Sequence, residues 1–256
     1  MKKTVKHSLI IMLSALMLIA SACGKKVNTN QETIDNLTPQ PRDDTKVAES
    51  SAEKYGNNPK LEVMQSVAYL FKEQTGNELY AACEYKNTSD CPCIVTGVSY
   101  ELNISEKKVI IESGQTASRY CIINPDETFY HAVWKEYNCT ESDTVKMISV
   151  SITCEKSLDN RLPLSISDLY LVENYPGFAS LSGVVHGADK NVVLNEIGVG
   201  FYDSEDKLIG VWYFTDSTDF AANKETHFTT HMRSIPIEGL TEKTVSIKAM
   251  GFGYNM

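Results

Sequence analysis

Most of what marks a nucleotide-binding or hydrolytic protein is missing from this chain. Its 256 residues hold no glycine-rich phosphate loop, no dinucleotide fingerprint and no Gly-x-Ser-x-Gly nucleophile elbow. Ser182-Gly183 comes nearest to an elbow and belongs to an ordinary strand-like stretch. Lys and Arg number 24 against 33 Asp and Glu, and no basic stripe follows Lys26. That excludes a surface built to displace counterions from nucleic acid. Long apolar runs are absent too. The run from Leu9 to Ala20 spans 12 residues, too few to cross roughly 30 Å of hydrocarbon as a permanent helix. No convincing amphipathic helix stands out, and after Cys154 there is no cysteine at all. With every familiar catalytic constellation missing, the expectation is a non-enzymatic protein with no bound cofactor.

What is present begins at the N-terminus. Lys2, Lys3 and Lys6 precede the short apolar run, and Ala20-Ser21-Ala22-Cys23 closes it. This order of charges, apolar run, small residues and thiol resembles the bacterial lipoprotein lipobox, with Ala20 where Leu is usual. The resemblance implies that residues 1–22 are a cleaved signal peptide and that Cys23 is diacylated. It therefore implies a cell membrane anchor facing the extracytoplasmic side. The alternative is an ordinary secretory signal that leaves Cys23 unmodified. Removing the signal takes away three basic residues and no acidic ones, leaving a formal charge of about −12. Such a surface stays soluble and avoids anionic lipid, so membrane contact is expected through the anchor alone. Residues 23–59 are polar, with scattered proline and almost no large apolar side chains. They cannot offset their own ordering entropy and read as a flexible linker with an r.m.s. reach of roughly 30 Å, or about 115 Å fully extended.

The remaining residues, 60–157 and 163–256, read as two copies of one unit. Glu78–Tyr85 with its polar turn corresponds to Ala179–His186 with Gly187–Asn191. Val98, Tyr100 and Leu102 match Ile197, Val199 and Phe201, and the turn at Ser105–Lys108 matches Ser204–Lys207. Asp126–Tyr130 answers Lys224–Phe228, and Thr144-Val145 answers Thr244-Val245. Within each copy, short segments alternate apolar with polar residues. Ile148, Val150, Ile152 and Cys154 alternate with Ser149, Ser151 and Thr153, which predicts a strand with one oily face. Leu61–Phe71 and Ser165–Tyr175 are expected to open the copies as strands. The expectation is all-β: two tandem immunoglobulin-like antiparallel β-sandwich domains.

The stretch from Gly183 through Asn195-Glu196-Ile197-Gly198-Val199-Gly200-Phe201-Tyr202-Asp203 to Lys207-Leu208-Ile209-Gly210 resembles the FxLYD-type immunoglobulin-like domains of Gram-positive lipoproteins. Asp206 stands where that family tends to have glycine. The resemblance implies a non-enzymatic extracytoplasmic module and transfers no site residues.

Six cysteines besides Cys23 lie in the first copy: Cys83, Cys91, Cys93, Cys121, Cys139 and Cys154. In an exported domain they are candidates for disulfides in any of fifteen pairings, for buried free thiols, or for metal or redox chemistry. Strand alternation suggests that Cys83 and Cys154 could meet across the sandwich. Cys91-Pro92-Cys93 could hold a soft metal with Cys83 or His131, although one intervening residue is short for zinc. His227 and His231 sit too far apart on a strand to share one ion, and Asp203, Glu205 and Asp206 form an acidic hairpin. Val211-Trp212-Tyr213-Phe214 must place alternate members on both sheet faces, making Trp212 and Phe214 a candidate binding surface. Tyr130, Trp134 and Tyr137 are expected to fill the first core. The favoured reading is an anchored protein that binds protein or glycan partners. The alternative is a thiol-based metal or redox protein centred on Cys91-Pro92-Cys93.

Overall fold

The computed structural model describes residues 58–255 apart from 74–75, 114–120, 141, 159–160, 176–177, 217–218 and 231–236. The signal, Cys23 and the linker lie outside these, as does His231. Period-two alternation folds the described residues into antiparallel strands and one helix of four residues. In the first half these are β1 (Leu61–Glu73), β2 (Gly76–Asn87), β3 (Cys93–Ile104), β4 (Lys107–Ser113), β5 (Ile122–Ile123), β6 (Thr128–Glu136) and β7 (Val145–Lys156). The second half has β8 (Leu162–Tyr175), β9 (Phe178–His186), β10 (Val193–Tyr202), β11 (Leu208–Asp216), β12 (Glu225–Thr229), α1 (Leu240–Lys243) and β13 (Ser246–Tyr254). Residues 49–256 form one compact unit.

Most of the pairing scheme of the first half recurs in the second, where β13 additionally pairs β8 and joins the strands into one six-stranded sheet. β1 pairs β2 and β2 pairs β6, as β8 pairs β9 and β9 pairs β12. β3 lies between β4 and β7, as β10 lies between β11 and β13. Even the short β5 rung, Cys93 opposite Ile123, has a counterpart in the isolated bridge from Val192 to Phe220. Val98, Tyr100 and Leu102, like Ile197, Val199 and Phe201, are all buried. The equivalent hairpins differ in their turns. Ser105 and Glu106 take φ of 45° and 70°, the two left-handed residues of a tight hairpin, whereas β10 and β11 are joined through a longer loop. There Asp206 takes the left-handed position at φ 57°, and the Asp203 carboxylate accepts from the Glu205 and Lys207 amides.

Bulges retune the alternation so that both apolar sets of a strand reach the core. In β3 the inward residues switch from Cys93 and Val95 to Val98, Tyr100, Leu102 and Ile104 across a register shift at Thr96-Gly97. In β7 the register skips Ile148, which is 50% exposed, while Met147 packs inward. The predicted oily face of that strand is therefore Val150, Ile152 and Cys154, continued by Met147 and not by Ile148.

Odd residues of β2, with Phe129 of β6, pack on β3 and β4 in the first core. Even residues do something the sequence did not reveal. Tyr80, Ala82, Tyr130, Ala132 and Trp134 belong to the same apolar cluster as Val199, Phe201, Tyr202 and Val211. Tyr130 and Trp134 thus face the second half instead of filling the first core. Tyr130 lies flat over β10, where a Cβ at Gly200 would fall 2.5 Å from its ring and one at Gly198 would fall 3.0 Å away. Glycine at both positions is what lets the sheets approach so closely.

Side chains of the first half also complete the open edge of β11. Tyr80 Oη accepts from the Val211 amide at 2.6 Å and donates to the Val211 carbonyl at 2.8 Å. Tyr69 Oη donates to the Ile209 carbonyl at 3.0 Å. Gln65 accepts from the Leu208 amide at 2.7 Å and donates to the Asp206 carbonyl at 3.1 Å. An edge strand's unpaired amides and carbonyls invite another strand, and here three side chains stand in for it.

Candidate functional site

The thiols separate into distinct environments. Cys83, Cys91, Cys93 and Cys121 are buried, Cys139 and Cys154 are half-buried, and all six are free. Cys83 does not meet Cys154. It sits 3.4 Å from Tyr100 Oη, which also lies 2.8 Å from His131 Nδ1 and donates to the His131 carbonyl at 3.1 Å. Burial pushes the Cys83 thiol up to about 12 and His131 down to about 4, so both are neutral near pH 7. With its proton on Nδ1, His131 donates to Tyr100, as does the Cys83 thiol, and the hydroxyl passes its own proton to the carbonyl. Cys121 is similarly enclosed beside Tyr85 Oη at 3.5 Å, and burial raises its thiol far out of the titrating range.

Cys91, Cys93 and Cys154 gather at one end of the first sandwich. Val95 is the cross-strand partner of Cys154, and Cys93 lies two residues earlier on the same inward face of β3. The Cys93 and Cys154 thiols are therefore diagonal neighbours, and they hydrogen-bond to each other. Ser89 Oγ lies 3.2 Å from Cys93 Sγ and 3.7 Å from Cys91 Sγ. The Cys91 carbonyl is 3.5 Å from Cys93 Sγ. Ser89 is held by the buried Asn87, whose side chain also donates to the Cys91 and Ile123 carbonyls at 2.8 Å. The Cys154 thiol is the largest influence drawing Cys93 down to about 6, against desolvation, with Ser89 assisting. Cys154 moves the opposite way because its proton is held by Cys93.

This cluster does not enlist Cys83 or His131 as metal ligands, since both are committed to Tyr100. Among the described residues no three His, Cys, Asp or Glu side chains come together as a metal-holding group. The acidic hairpin is likewise occupied: Asp206 pairs with Lys248 at 2.7 Å and Glu205 pairs with Lys207. His227 is exposed on β12.

Trp212 is half-buried and stacks on Phe228 with ring centroids 5.9 Å apart and planes 7° from parallel. Tyr213, on the opposite face, packs against Phe129 and His131 and donates to the buried Glu196 carboxylate at 2.6 Å. Tyr213 is thus occupied by the aromatics of the first half, while Trp212 keeps part of its surface open beside Phe228. The Phe214 side chain lies outside the described residues.

Two features escaped the sequence reading. One is an open groove of about 490 Å³ lined by the aliphatic Ile166, Leu169, Leu171, Val245 and Ile247 together with Ser167, Asp168, Thr241 and Thr244. Of its apolar lining, Val245 is 69% exposed. The four-residue α1 and the register shift after Ser167 shape the groove, and neither leaves a strong local pattern. The other is a Ser-His-Glu alignment. Ser167 Oγ is 2.8 Å from His186 Nε2, and His186 Nδ1 is 3.4 Å from a Glu225 carboxylate oxygen. The proton runs the wrong way for a nucleophile, because Ser167 Oγ donates to Asp168 Oδ2 at 3.0 Å and leaves His186 as donor, not base. Glu225 is also largely exposed, which weakens its hold on the imidazole.

No family model matches the chain, and no curated protein matches it.

Proposed function

We propose that this chain is a membrane-anchored extracytoplasmic lipoprotein, tethered through Cys23, whose paired immunoglobulin-like sandwiches bind protein or glycan partners at the bacterial cell surface without catalysing a reaction. The observation that carries this reading is the open groove between β8, α1 and β13, where the polar side chains of Ser167, Asp168, Thr241 and Thr244 stand among the aliphatic side chains of Leu169, Val245 and Ile247. Its lining residues include no aromatic ring on which a sugar could stack, which favours the side chains of a protein partner over a glycan. Trp212 plays no part in this surface. The resemblance to FxLYD-type domains agrees with such a role.

A photo-reactive amino acid at Val245, in the full chain on its own cells, tests the reading. A discrete adduct with a protein is expected at Val245 and none at Ile110, a 50% exposed position on the first half. Identical background at both positions overturns the proposal, whereas an adduct that carries only glycan overturns the preference for a protein partner.

A further inference from the structure

We infer that Cys93 and Cys154 form a reversible dithiol–disulfide couple, with Cys91 excluded from the bond and Cys154 as the entry point for the oxidant. The inference is independent of the partner-binding groove, which lies on the other half of the molecule.

The strand register carries it. Cys93 and Cys154 occupy adjacent antiparallel strands on one face, in the diagonal relation that brings their sulfurs into hydrogen-bonding contact. Cys91, two residues away in sequence, also hydrogen-bonds to Cys93 through its thiol, but it is the smallest influence on Cys93 where Cys154 is the largest, and its main-chain carbonyl is bound by Asn87. Cys83 and Cys121 are sealed in the core against tyrosine hydroxyls, out of reach of any oxidant. Exposure differs within the pair: Cys93 is fully buried, whereas Cys154 is partly open to solvent. The hydrogen bond between them favours ionisation of Cys93 and holds the proton on Cys154.

A small external disulfide, RS–SR, serves as the oxidant class. The proton moves from Cys154 to Cys93, and the Cys154 thiolate attacks one sulfur of RS–SR, forming Cys154–S–SR and releasing RS⁻. Cys93 then gives its proton to that RS⁻, and its own thiolate attacks the Cys154 sulfur. The S–SR bond breaks, the intramolecular disulfide forms and a second RS⁻ leaves. In sum, Cys93–S⁻, Cys154–SH and RS–SR yield one protein disulfide, one RSH and one RS⁻, with two electrons passed to the reagent.

The test equilibrates the full mature chain, purified in detergent, against graded ratios of oxidised and reduced dithiothreitol. Free thiols are then trapped by alkylation and the peptides mapped by mass spectrometry. Expected is a single two-electron transition linking Cys93 to Cys154, with Cys91, Cys83 and Cys121 recovered as free thiols that are alkylated only after unfolding. A Cys91–Cys93 or Cys91–Cys154 bond overturns the inference, as does a chain that stays fully reduced in the most oxidising mixture. Cys91→Ser must keep the transition and Cys154→Ser must abolish it. Should either variant misfold, the wild-type map decides alone.

Discussion

Replacing Tyr80 by Phe removes one oxygen atom and, with it, both partners of the Val211 amide and carbonyl at the edge of β11. The ring is completely buried, so water cannot take the hydroxyl's place, and Phe fills almost the same volume. The cost is therefore that of two orphaned main-chain groups, at roughly 1–3 kcal/mol each, less the desolvation that the hydroxyl no longer suffers. About 3 kcal/mol is expected, a large fraction of the 5–15 kcal/mol that typically holds a domain together. With a urea dependence of about 2 kcal/mol per molar, the unfolding midpoint should fall by roughly 1.5 M. The two tryptophans make the assay informative, because Trp134 lies in the first half, 5.2 Å from Tyr80, and Trp212 in the second. Trp134→Phe and Trp212→Phe backgrounds report each half separately. If the halves are one cooperative body, both probes shift together in Tyr80→Phe. Two separate transitions, with only one displaced or neither, would refute the reasoning that these hydrogen bonds fuse the sandwiches.

Gly200→Ala drives a methyl group to 2.5 Å from the buried Tyr130 ring and should cost roughly 1–3 kcal/mol, read as a lowered calorimetric Tm. His131 is buried neutral with its folded value depressed to about 4, below the ordinary 6.5. The unfolded chain therefore binds the extra proton between those values, and stability that is intact above pH 6.5 should decline by roughly 3 kcal/mol on acidification to pH 4. His131→Gln should flatten that slope in urea titrations at graded pH, and an unchanged slope would reject the assignment. Joining Cys93 to Cys154 closes a loop of about 60 residues and should stabilise the oxidised chain by roughly 4 kcal/mol, an increment that Cys83→Ala leaves in place. A fragment of residues 162–256 has lost Gln65, Tyr69 and Tyr80 from the edge of β11 and should self-associate, detectable by light scattering, whereas residues 49–256 should not.

The strands were readable because half-buried sheet imposes a period of two, and Val98, Tyr100 and Leu102 carry it as plainly as Ile197, Val199 and Phe201 do. Bulges were not readable. A strand with Met147, Ile148, Val150 and Ile152 offers two consistent faces, and only the register against β3 decides that Ile148 turns outward. The same limit applies to the thiols. Spacing along the chain says nothing of which strand lies beside β3, so Cys154 was matched with the wrong partner. The contact between the halves left one trace, the glycines at 198 and 200 in an otherwise apolar strand, which mark a close approach. The aromatics on the other side of that contact looked like any core residues, because Tyr130 and Trp134 are apolar enough for either face of β6.

The capped edge of β11 also sets an order of events. Gln65, Tyr69 and Tyr80 find their partners some 130 to 143 residues later in the chain. A polypeptide growing from its N-terminus has made β1 to β7 while Tyr69, Tyr80, Tyr130 and Trp134 still have nothing to rest on. Local hairpins can close quickly, but this aromatic strip must wait for β10 and β11, and contacts of such long sequence separation form slowly. The half-made molecule is thus its own most hazardous species, an oily sheet waiting for its cover. Any helper that escorts this protein would be needed in that interval and could let go once the last hundred residues have arrived.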